Sequence, residues 1–95
     1  MKTTIKVTVT GAVAPVPIET TIQKKGETKV ITLTNDESFT DTLNLSDGTY
    51  VILVSGKNNP DGCTEVEITT EDSAGVTTVS KDKSCDSDFG LSFVI

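Results

Sequence analysis

The sequence contains no arginine, no histidine and no tryptophan. Without Arg there is no planar guanidinium to clamp a phosphate through two parallel hydrogen bonds. Without His there is no imidazole to serve as the base for a Ser or Cys nucleophile. His and Trp are missing as stacking groups as well. All eight basic residues are lysine, and they face 14 acidic ones, for a formal net charge of −6. A nucleic-acid backbone is repelled by that balance, and an anionic membrane finds no polybasic patch to attract. Nucleic-acid binding and membrane insertion are therefore both set aside as partner classes.

Aromatic residues are scarce too, at 4%. The core has to be built from Val, Ile and Leu, since few large rings are at hand. No run of apolar residues reaches the length of a membrane-spanning helix. No stretch combines a helical period with good helix formers, so almost no helix is expected. A signal-peptide core is missing as well. After Met1-Lys2-Thr3-Thr4 the residues Ile5, Val7 and Val9 alternate with Lys6, Thr8 and Thr10, which is the pattern of a strand. An enzyme is not expected, because paired carboxylates on loops without a deep cleft make a poor glycosidase and no nucleophile has a base.

The chain has 95 residues and a 35% hydrophobic share, which is one domain, 1–95, with a modest core. Its most apolar stretch is Tyr50-Val51-Ile52-Leu53-Val54, set between Gly48 and Gly56 and preceded by the turn pair Asp47-Gly48. That run predicts a central strand. Alternation and turn residues place the others over 4–10, 18–25, 28–34, 38–45, 63–70, 76–80 and 91–95. The inward positions are Ile5, Val7, Val9, Ile18, Ile22, Ile31, Leu33, Phe39, Leu43, Leu45, Val66, Ile68, Leu91, Phe93 and Ile95. Asp41 falls on the inward face of its strand, which predicts a site near an edge or a bulge. Short strands at roughly ten-residue spacing mean a sandwich or a barrel.

Two stretches resemble the carboxypeptidase-regulatory-like and transthyretin-like β-sandwich modules. One is Thr34-Asn35-Asp36-Glu37-Ser38-Phe39-Thr40 continuing through Leu43-Asn44-Leu45-Ser46-Asp47-Gly48-Thr49-Tyr50-Val51-Ile52-Leu53-Val54. It is similar to an acidic turn, a Phe-bearing strand and then a Gly-Thr-Tyr strand, a pattern shared by many bacterial β-sandwiches. The other is Thr10-Gly11-Ala12-Val13 before a Pro-containing segment. Together they cover about half of the chain. Ser38 stands where those modules usually have Gly. The resemblance implies a non-catalytic accessory or adhesion-type role and carries over no site residues. The expected fold is a single antiparallel β-sandwich of seven or eight strands, immunoglobulin-like or transthyretin-like.

If strand direction alternates, the loops at 11–17, 35–37, 57–62 and 81–90 gather at one end. Cys63 opens the sixth strand and Cys85 follows the seventh, so the hairpin between them brings the two together. A Cys63–Cys85 disulfide is one reading, and a pair of independent free thiols is the other. The bond would favour an extracellular or cell-surface location, although no signal peptide opens the sequence. The same end collects Asp36, Asp61, Asp82, Asp86 and Asp88. Clustered carboxylates on loops are the chemistry of a calcium site, and those five are its candidate ligands. A solvated acidic turn is the plainer alternative. A third candidate is a contact face. If Tyr50, Ile52 and Val54 point inward, then Val51 and Leu53 point outward, and Val30 joins them. Either the 11–17 segment, with Val13 and Val16, covers these residues, or they meet a protein partner or a second copy. The function expected is thus a non-enzymatic interaction or assembly module, with a calcium-dependent binding domain as the alternative.

Overall fold

The computed structural model describes residues 1–11 and 17–95. Eight strands follow one another in the order β1 (Lys2–Thr10), β2 (Ile18–Lys24), β3 (Val30–Asn35), β4 (Phe39–Asn44), β5 (Tyr50–Lys57), β6 (Cys63–Glu71), β7 (Thr77–Ser84) and β8 (Asp88–Val94). They form two four-stranded sheets, β4-β1-β6-β7 and β3-β2-β5-β8, called sheet A and sheet B below. Every pairing is antiparallel. The described residues hold no helix, and thus none long and apolar enough to cross a membrane. The chain is an all-β sandwich.

Side-chain alternation builds the core. Tyr50, Ile52 and Val54 of β5 face inward and are buried, as expected of a central strand. Ile52 and Val54 lie in register with Ile22 and Thr20 on one side and Phe93 and Leu91 on the other. Ile5 and Val7 of β1 pair with Ile68 and Val66 of β6 to supply the facing layer. The partly buried Val9, Ile31, Leu33, Phe39, Leu43 and Ile95 pack against this centre. Gly56 falls on an inward row between Ile18 and Phe89. A Cβ there would stand 2.8 Å from the Pro17 carbonyl oxygen and 3.3 Å from the Phe89 ring. The missing side chain is thus what lets that ring lie close to β5. Asp41 is half-buried, and its strand β4 is an edge of sheet A, as its pattern predicts.

The seventh and eighth strands differ from expectation. Residues 81–84 extend β7, and Phe89 and Gly90 belong to β8. The reason is electrostatic. Lys81 stands opposite Glu67 and Lys83 opposite Glu65, so the ladder continues on cross-strand charge pairs in place of apolar ones. The acidic loop shrinks to residues 85–87. The turn at 72–76 is tied by the Asp72 carboxylate, which accepts from the amides of Ala74 and Val76 at 2.9 Å each. The proposed cover by Val13 and Val16 lies outside the described residues.

Candidate functional site

The ends of β1, β3, β5 and β7 gather at one end of the sandwich, because all pairings alternate in direction. Gly11 at the end of β1 touches the backbone of Asp61 and Gly62. The Ser38 hydroxyl accepts a hydrogen bond from the Val9 amide at 2.8 Å. Cys63 and Cys85 are joined by a disulfide one step beyond the last β6–β7 pair, Thr64 and Ser84. The bond closes a sequence separation of 22 residues. In the chain-entropy account, a loop of that length contributes about 3 kcal/mol. The bond weakly points to an oxidising compartment.

Beside it sits a residue that the sequence did not single out. Asn58 is 8% exposed. Its side-chain NH2 donates to the Ser84 carbonyl at 3.1 Å and to the Asp86 carbonyl at 2.6 Å. Its side-chain oxygen accepts from the Thr64 hydroxyl at 2.6 Å, and its backbone amide donates to Ser87 at 2.9 Å. One buried amide thus fastens the 85–87 turn to the start of β6, next to the disulfide. The available signal was Thr64, a polar residue at an inward position of β6 that needs a buried partner.

The five candidate calcium ligands are spread by this framework. Asp82 lies on β7 opposite Val66, and its carboxylate accepts from the Lys83 amide at 2.8 Å. Asp88 stands 3.9 Å from Lys57 in an exposed ion pair. Asp86 and Asp36 are exposed in their turns, and Asp61 is exposed at a φ of 60°. Among the described residues no three Asp, Glu, Cys or His side chains are grouped to hold a metal ion.

The outer faces of the two sheets carry different chemistry. On sheet A the rows read Asn44–Lys2–Glu71–Thr77, Thr42–Thr4–Thr69–Val79, Thr40–Lys6–Glu67–Lys81 and Thr8–Glu65–Lys83, and Val79 is exposed. Opposite charges stand across from each other, and Lys81 also reaches Glu65 at 3.3 Å. On sheet B the rows read Val30–Gln23–Val51–Val94, Thr32–Thr21–Leu53–Ser92 and Thr34–Glu19–Ser55–Gly90. Glu19 is the only charge among these three rows, and the outward row beyond them pairs Lys57 with Asp88. Val30 is 44% exposed, Val51 42%, Leu53 39% and Val94 69%. The three residues expected to face outward do so, and Val94 joins them through its register with Val51. Together they expose apolar surface on the order of a few hundred Å², the size of the largest apolar patch on a typical monomer.

No family model, no curated protein and no solved structure matches the chain.

Proposed function

We propose that this domain is a non-enzymatic interaction module of the adhesion or assembly type, acting through the outer face of sheet B. The observation that carries the reading is the contrast between the two outer faces. Sheet A carries opposed Lys and Glu in three of its four outward rows, which suit water, and exposes one Val, Val79, at its edge. Sheet B, in the same small domain, exposes Val30, Val51, Leu53 and Val94 with little charge around them. A face of that kind gains free energy when another surface covers it. The disulfide supports placing the module outside the cell or on its surface. The resemblance to carboxypeptidase-regulatory-like and transthyretin-like modules supports the same role as an analogy of fold.

The test is the double substitution Val51→Lys with Leu53→Lys. As an interface face, it leaves the domain folded, with a melting temperature within a few degrees of the parent. Sedimentation and cross-linking then show loss of association. A drop in melting temperature of more than about 10 °C would instead mean that the pair packs within the fold, and the reading fails.

A further inference from the structure

We infer that β3 is a docking edge for a second copy of this chain, which adds its own β3 antiparallel to form a continuous eight-stranded sheet. The inference deepens the interaction-module reading and rests on it in taking sheet B as the contact side. It starts from a comparison of the four edge strands. An edge carries unpaired backbone donors and acceptors, and proteins protect such edges with inward-pointing charge, proline, bulges or a covering element. β4 carries Asp41 on its inward face, opposite the buried Ile5. β7 carries Asp82 on its inward face, opposite the buried Val66, between Lys81 and Lys83. β8 runs beside β7 at the corner closed by the disulfide and by Asn58. Among the described residues β3 has none of these devices. Its residues, Val30-Ile31-Thr32-Leu33-Thr34-Asn35, include no charge, proline or glycine, and its pairing with β2 runs unbroken from Ile18 and Asn35 to Gln23 and Val30. On its inward face Ile31 and Leu33 are only partly buried, as are Phe39 and Leu43 on β4, the edge strand of sheet A on the same flank.

The occupant follows from the charges at the two ends of β3. Lys24, Lys25 and Lys29 lie at the end where the strand begins, with Glu27 as the exception. Asp36 and Glu37 lie where it finishes. A two-fold axis through Thr32 sets Thr32 against Thr32, Ile31 against Leu33 and Val30 against Thr34. Inward residues then meet inward residues and outward meet outward. Lys29 comes opposite Asn35, beside the Asp36-Glu37 pair of the other copy, and it does so twice by symmetry. Parallel pairing would place Lys29 beside Lys29 and acid beside acid. Two six-residue strands bury less than a standard interface of about 1,600 Å², so the pairing is weak and depends on concentration.

The test is sedimentation of the whole oxidised chain from micromolar to millimolar concentration. Lys29, Asp36 and Glu37 are all exposed, so substitutions there leave the fold intact, which the melting temperature checks. The parent is expected to form dimers as concentration rises. Lys29→Glu alone and Asp36→Lys with Glu37→Lys are each expected to weaken the dimer at least about tenfold, and the combined triple variant to restore it. A parent that stays monomeric throughout overturns the inference. So does a parent dimer that all these variants retain. If that dimer is instead lost in the Val51→Lys, Leu53→Lys protein, the sheet-face reading stands and the β3 edge is refuted. A dimer lost with the charge reversals but kept by the Val51→Lys, Leu53→Lys protein supports β3 pairing independently of the face.

Discussion

Removing the Asn58 side chain tests whether the disulfide end is held by that one amide. Asn58→Ala deletes the bonds to Ser84 and Asp86 and the bond from Thr64. Each contributes about 1 kcal/mol net, so the loss begins near 3 kcal/mol. The Thr64 hydroxyl, 1% exposed, is then left in the core without its acceptor, which adds about 1 kcal/mol or more. For a domain of this size each kcal/mol lowers the melting temperature by about 4–8 °C, so a fall of roughly 15–30 °C is expected. The assay is denaturant unfolding of the oxidised protein, read beside thermal melting. Thr64→Val, made in the Asn58→Ala background, should recover about 1 kcal/mol by removing the orphaned hydroxyl. Asn58→Asp should be at least as damaging as Ala. A carboxylate can still accept from Thr64 but presents acceptor oxygens to the Ser84 and Asp86 carbonyls. If Asn58→Ala costs under about 1 kcal/mol, the hub does not hold the turn and the reasoning is wrong.

Four further outcomes are expected. The hydroxyls of Thr3 and Thr20 are buried, and among the described residues neither has a hydrogen-bond partner. Thr3→Val and Thr20→Val should each stabilise by about 1 kcal/mol in urea unfolding, and a loss of stability would show that a partner had been removed. Reducing the Cys63–Cys85 bond should lower stability by about 3 kcal/mol while the far-ultraviolet circular dichroism stays that of a β-sandwich; an unchanged denaturation midpoint refutes the estimate. Asp61 sits at φ 60°, so Asp61→Gly should raise stability by a few tenths of a kcal/mol to about 1 kcal/mol, and a fall would mean that its side chain makes a needed contact. Because the aspartates are dispersed, the melting temperature should be equal in millimolar calcium and in EDTA; a rise of several degrees with calcium would restore the calcium reading.

The fold was legible wherever a strand presents apolar residues at alternate positions. β1, β2, β5 and β6 follow that rule, and their inward sets match the buried core except for Val9, which is partly buried. β7 breaks it. Its inward positions are Thr78, Ser80, Asp82 and Ser84, all polar, because it is an edge strand at a corner and has little core to face. Periodicity therefore ends the strand at residue 80 and places Asp82 in a loop. The outward positions of Val30, Val51 and Leu53 were legible from the same alternation. Asn58 was not, since its role depends on carbonyls about 26 residues away, which no local pattern encodes. The disulfide was legible as geometry, because a hairpin returns its two ends to one place.

The sorting of surface chemistry by layer is the strongest reason to regard sheet B as a contact side. The two sheets take alternating pieces of the chain, with β1, β4, β6 and β7 in one and β2, β3, β5 and β8 in the other. A drift in composition along the sequence would spread charge over both. β5 and β6 instead are consecutive strands with opposite outer chemistry, Val51 and Leu53 against Glu65 and Glu67. The edges divide in the same way. Both edges of sheet A carry an inward-facing aspartate, and β3 of sheet B carries none. Lys and Glu on a solvent face cost a sandwich little, so their concentration on sheet A is not forced by folding. What separates the layers is their surroundings: sheet A exposes a single Val among opposed charges and carries an inward aspartate at both edges, whereas sheet B exposes four apolar residues and has no such charge on β3. The β3 edge and the Val30–Val51–Val94 row adjoin each other at Val30, so a second copy paired on β3 would widen that apolar face as well as extend the sheet.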